Sequence, residues 1–138
     1  MIRTHSRTAR LLVVLALATL GACASMESKE KMVRLEETVK VYTSAVRWGD
    51  FGTAASLVKP RDAAAAPVDG ARLEGVRVMS HDYRIEAPDA EASEAWMTAR
   101  FEYSAPSSAR VRTVTQRAMW YWDEASGAWY LDGSLPEF

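Results

Sequence analysis

His81 is the side chain in this 138-residue chain best suited to moving a proton, and the only other histidine is His5. An imidazole with an ordinary pKa of roughly 6.5 can act as acid or base near neutrality, given a carboxylate such as Asp82 to orient it. In an extended segment, however, adjacent side chains point to opposite faces. His81 and Asp82 therefore do not share one pocket unless a bulge intervenes. His81 is instead in phase with Met79, Tyr83 and Ile85, which predicts a rim or core histidine in apolar company. Isomerase-type chemistry would need a tyrosine and two acids converging from separate strands, and the spacing of Tyr83, Tyr103, Asp123 and Asp132 assigns none of them to such roles. One cysteine and scattered histidines provide no metal-ligand spacing. The seven glycines form no phosphate-cradling loop, and no serine has the flanks of a nucleophile elbow. The sequence thus predicts no metal and no cofactor, and no catalytic assignment beyond His81 as the single candidate.

Cys23 is the other reactive side chain, and it is the only cysteine. Ahead of it, Leu11 to Leu20 carry no charge, and Arg3, Arg7 and Arg10 precede that run. A spanning helix needs about 20 apolar residues, so this segment is too short to cross a bilayer. A basic start, a short apolar stretch and small residues at its end describe a secretory signal peptide. "LGAC", with Leu20, Gly21 and Ala22 directly before Cys23, resembles the lipobox of bacterial lipoproteins. The resemblance implies cleavage between Ala22 and Cys23, a diacylglyceryl group on the sulfur and acylation of the new amine by palmitate-type chains. Ala24, where aspartate is the usual inner-membrane retention signal, then implies an outer-membrane, periplasm-facing address in a Gram-negative host. One acyl chain anchors marginally, and two or three anchor durably.

The expected division is residues 1–22 as signal peptide, 23–29 as a lipidated tether and 30–138 as one domain. The mature chain has 116 residues, enough for one core. Removing Arg3, Arg7 and Arg10 from the 17 basic residues leaves 14 against 18 acidic, a net charge of −4. No basic stripe survives, so nucleic acid is not an expected partner.

Residues 27–48 read as one amphipathic helix. Met32, Leu35, Val39, Tyr42 and Val46 recur at three- and four-residue spacing, with Val33 and Ala45 widening the stripe, and Glu27/Lys31, Glu30/Arg34 and Glu36/Lys40 are spaced to pair on its outer face. Gly49 suits its stop, and Asp50 suits the cap of a second helix to about Val58. After Leu73 the pattern turns to strands. In residues 93–104, Ala95, Met97, Ala99, Phe101 and Tyr103 alternate with Trp96, Thr98, Arg100 and Glu102. In 110–124, Val114, Ala118, Trp120 and Trp122 share a face and Tyr121 takes the other. "AWYLDGSL" closes the series. The expected architecture is α+β, a long and a short helix packed on a curved four-stranded antiparallel sheet.

This order of elements, with "Y-x5-W-G-D-F" at Tyr42 to Phe51 and a closing "WYLDGSLP", resembles the nuclear-transport-factor-2-like superfamily over residues 30–135. The resemblance implies a cone-shaped domain with a pocket at its open end. It also implies a membership that includes ketosteroid isomerases, scytalone dehydratases and polyketide cyclases beside non-catalytic binding and assembly modules. Fold does not choose among them.

The aromatic load of the last three strands adds the remaining candidates. Tyr83, Phe101, Tyr103, Trp120, Tyr121 and Trp122 could line an apolar pocket, a homodimer interface or a surface for another envelope protein. The functional expectation is a lipid-anchored cell-envelope protein that serves as a non-enzymatic binding or scaffold module. The alternatives are a small-molecule isomerase, dehydratase or cyclase of the same fold, or an accessory subunit of an envelope assembly.

Overall fold

The computed structural model describes residues 5–62, 64–65 and 69–138, with side chains described from residue 26 onward within those ranges. Helix α1 spans His5–Trp48. It begins far ahead of the expected start at residue 27, because residues 5–26 are rich in leucine and alanine and contain no proline, so nothing in them stops a helix. The side chain of Cys23, and with it the lipidation reading, lies outside the described residues. No helix among them is long and apolar enough to cross a membrane.

Gly49 ends α1 at a φ of 75°. Its N–H donates to the Val46 carbonyl at 3.2 Å and the Asp50 N–H donates to that of Ala45 at 2.9 Å, the paired bonds of a left-handed helix stop. Asp50 then caps α2 (Phe51–Ser56), accepting from the Thr53 N–H at 3.1 Å. Helix α2 stops before Val58 because the chain there becomes extended. Val58 bridges Leu131 in parallel, with Lys59 N–H donating to the Leu131 carbonyl and Leu131 N–H to that of Leu57.

Strands β1 (Arg77–Glu86), β2 (Glu94–Ser104), β3 (Val111–Asp123) and β4 (Ala128–Asp132) form an antiparallel meander in the order β1-β2-β3-β4. The expected α+β architecture is therefore the observed one. On the helix-facing side, Ala95, Met97, Ala99, Phe101 and Tyr103 of β2 are all buried, as their alternation predicts. They join Ala118 and Trp120 of β3 and Trp129 and Leu131 of β4, packed with Leu35, Val39, Tyr42 and Val46 of α1 in one core. The rings of Tyr42 and Trp120 meet edge to face at 5.5 Å.

Polar bonds fix this packing. The Tyr42 hydroxyl donates to Gln116 Oε1 at 3.0 Å, and Gln116 Nε2 donates to the Ser134 carbonyl at 2.9 Å. Burial raises the Tyr42 phenol well above its ordinary pKa, although the Gln116 bond opposes this. Trp129 Nε1 donates to the Lys31 carbonyl at 2.9 Å. Of the three expected pairs on α1, Glu30–Arg34 is present at 2.7 Å. Lys31 turns instead to Glu124 and the face of Trp122, because it lies on the flank of α1 that meets the β3–β4 turn.

Candidate functional site

A bulge in β1 decides where its side chains point. Val78 pairs with Tyr103 and Ser80 with Glu102, so Met79 is the extra residue. Met79 thus leaves the phase it was expected to share with His81 and stands exposed. Beyond the bulge, His81, Tyr83 and Ile85 oppose Phe101, Ala99 and Met97 on the helix-facing side. Because the bulge precedes both His81 and Asp82, these two remain on opposite faces.

The His81 ring lies 6.3 Å from that of Phe101 and 6.4 Å from that of Tyr83, in stacked orientation. Burial lowers its pKa first, the Arg47 guanidinium lowers it further, and Asp82 pulls weakly the other way. Arg47 Nη1 donates to the Val78 carbonyl beside it. Burial and the nearby cation thus both favour the uncharged imidazole, which stands in aromatic company. The two acids considered for isomerase-type chemistry are used elsewhere. Asp123 accepts from Lys59 Nζ at 2.7 Å, and Asp132 accepts from Arg61 Nε at 2.7 Å and from the Arg61 N–H at 2.9 Å. Those bonds hold both carboxyls below the usual carboxylate range. Among the described residues, no three His, Cys, Asp or Glu side chains are grouped to hold a metal.

The end of the sheet beside α2 is filled by the chain's own closing residues. Leu135 and Pro136 are buried. The Phe138 ring lies 4.9 Å from Tyr103, 5.9 Å from Phe101 and 6.3 Å from Phe51. Phe101 and Tyr103, two of the candidate pocket residues, thus form a packed aromatic cluster with Phe138. The alternation pattern ends at Leu131 and holds no signal for this contact.

Trp120 is fully buried, and its Nε1 meets no acceptor among the described residues. Trp122 is half-buried, 5.8 Å from Trp129 and beneath Lys31. Tyr83 is exposed at the rim. Tyr121 faces away from α1, and the chain itself meets that face: residues 59–61 cross it after bridging β4. Arg61 sits 4.9 Å over Tyr121, Lys59 sits 5.0 Å over Tyr130, and the Tyr121 hydroxyl donates to the Lys59 carbonyl at 2.9 Å. Arg61 also binds Glu94 of β2, so this strap ties three strands together.

No family model and no curated protein matches the chain.

Proposed function

We propose that this protein is a lipid-anchored cell-envelope protein with a nuclear-transport-factor-2-like domain, and that it acts as a non-enzymatic binding or scaffold module. The reading rests on one observation above the others. At the end of the sheet beside α2, Leu135 and Pro136 are buried and Phe138 packs on Phe101 and Tyr103, while His81 is stacked beside Phe101 and Asp82 is turned to the opposite face. Aromatic packing at that position supports a structural role for Phe101 and Tyr103. The family motif supports the fold in the same way, since Tyr42 and Phe51 are core residues, Gly49 stops α1 and Asp50 caps α2. The "LGAC" sequence supports the anchor. Ala24 directly after Cys23 supports a periplasm-facing outer-membrane address in a Gram-negative host.

The test separates anchor from chemistry. Full-length protein expressed in a Gram-negative host with labelled palmitate should carry the label, and Cys23→Ser should lose it and accumulate as the larger precursor. Processing and membrane fractionation of Cys23→Ser like wild type would remove the anchor. His81→Ala should leave the envelope phenotype of a deletion strain fully complemented. Loss of complementation by a folded His81→Ala protein would favour the isomerase, dehydratase or cyclase reading.

A further inference from the structure

Strand β1 is the open rim of the sheet, and the bond pattern of its neighbours fixes which atoms it offers. The Trp122 N–H donates to the Ser93 carbonyl at 2.8 Å. Along β2, odd positions therefore turn their N–H and C=O groups to β3 and even positions turn theirs to β1, as antiparallel pairing alternates. The register sets Trp96, Thr98, Arg100 and Glu102 against Glu86, Arg84, Asp82 and Ser80. Those four residues of β1 bond inward, which directs the N–H and C=O of His81, Tyr83 and Ile85 away from the sheet. No backbone hydrogen bond from elsewhere among the described residues reaches them. Ahead of the bulge the Val78 carbonyl is taken by Arg47, so the open stretch begins at His81. Such a row of unpaired donors and acceptors is a template for another strand.

We infer that a second copy of this chain pairs with that rim, β1 against β1, antiparallel about a twofold axis at Tyr83. Side chains select both the occupant and the register. On the face of the sheet away from α1, Asp82, Arg84 and Glu86 are exposed and alternate in sign. With the axis at Tyr83, Asp82 of each copy stands opposite Arg84 of the other, in the non-hydrogen-bonded positions where side chains approach closest. Moving the axis by one residue sets Asp82 on Asp82 or Arg84 on Arg84. Larger shifts carry the pairing past the bulge or beyond the end of β1. The same axis satisfies every outward group: Tyr83 pairs with Tyr83 and His81 with Ile85, each pair exchanging two bonds. Within its own copy Asp82 forms no ion pair among the described residues, not even with Arg100 across from it in β2. Arg84 donates to Glu86 through Nε at 3.0 Å, which leaves the Nη side of its guanidinium for Asp82 of the second copy. On the helix-facing side the exposed Tyr83 rings meet across the axis, an aromatic pair of the kind that stabilises sheets. Charges on a rim ordinarily repel a second strand, but this order of signs complements its own reverse.

The pairing does not depend on whether Cys23 carries lipid. The test uses the full chain in mild detergent under reducing conditions, so that Cys23 does not bridge two copies. Sedimentation should show a dimer for wild type. Asp82→Arg and Arg84→Asp should each weaken it on the order of tenfold, because each sets like charges across the axis twice. Combining Asp82→Arg with Arg84→Asp in one chain should restore it, since the opposed pairs return with signs exchanged. Tyr83→Pro should abolish the dimer and keep the wild-type circular dichroism, because the N–H it removes bonds nothing in its own sheet. Amide exchange should slow at His81, Tyr83 and Ile85 as concentration rises, with Asp82 and Arg84 protected throughout. A wild type that stays monomeric overturns the inference, as does a dimer unaffected by either single reversal. A double variant as weak as the single ones overturns the axis at Tyr83. Protection of the His81, Tyr83 and Ile85 amides in the monomer overturns the open rim.

Discussion

The two faces of the sheet are held in place by different physics. The helix-facing side is built from burial: Trp120, Trp129, Phe101, Met97 and Leu131 lie in one core with α1. The outer side is held by charge. Residues 59–61 strap it with Lys59–Asp123, Arg61–Asp132 and Arg61–Glu94 pairs and two cations over tyrosine rings, all partly open to water. The inner face should therefore carry most of the stability and respond little to salt. The outer face should contribute less and respond to both salt and acid. Aromatic residues occur on both faces of β3, but of these only Trp120, on the core side, is sealed from solvent.

The largest expected effect is on the inner face. Trp120→Ala should cost about 3–5 kcal/mol by truncating a fully buried indole, a large share of the roughly 5–15 kcal/mol typical of such a domain. Trp120→Phe should cost clearly less, since it fills most of the volume and removes the unpartnered Nε1–H, a group whose burial costs about 1–3 kcal/mol. Urea titration of the two variants measures both, and equal losses would mean that the indole nitrogen has an acceptor.

Phe138→Ala comes next, because three aromatic neighbours lose a contact while the ring itself is only partly buried. It should lower stability by about 2–3 kcal/mol. A thermal melt matching wild type would show that the closing residues do not fill the end of the sheet.

On the outer face, Arg61→Ala should cost on the order of 1 kcal/mol. The loss should shrink as salt is added, whereas that of Trp120→Ala should not. Asp132 and Asp123 have folded pKa values below their unfolded ones, so the stability they provide is complete above the unfolded values near 4 and is lost as pH falls through the folded ones. Arg61→Ala should flatten the part of that acid loss due to Asp132. If its cost is as large in molar salt as in dilute buffer, the strap acts by packing and the contrast between the faces weakens.

The smallest effect belongs to His81. Its folded pKa is lowered, so the fold prefers the neutral ring. Stability should fall modestly as pH drops below about 6.5, the unfolded value, and level off below the folded value. His81→Gln should abolish that segment of the pH profile. A profile that rises instead would place a carboxylate against the ring.

The inner face was legible in the sequence because its cause is local. The period-two alternation of residues 95–103 and the phase of Trp120 follow from the pleat alone, and Asp50 and Gly49 are read from caps three to five residues long. The strap was not legible, since Lys59 and Arg61 take their meaning from Asp123, Asp132 and Glu94, dozens of residues away. The bulge at Met79 arises from pairing with β2, so no window around His81 contains it. Phe138 looks like an ordinary closing residue until Phe51, Phe101 and Tyr103 surround it. Val33, expected to widen the core stripe of α1, stands exposed on the outer side, because its position lies about 150° around the helix from the centre of that stripe.

The pairing of residues 57–59 with Leu131 also limits how this chain can polymerise. Growth of a fibre by strand addition needs an open rim on both sides of each subunit, and here the short β4 rim is blocked at Leu131, whose outward N–H and carbonyl are both taken. Only β1 remains, shortened in effect by its bulge. Two copies that meet through β1 use up the only rim that each has, so strand addition ends at a closed pair and cannot propagate. Crowding then drives such domains no further than that pair by this route.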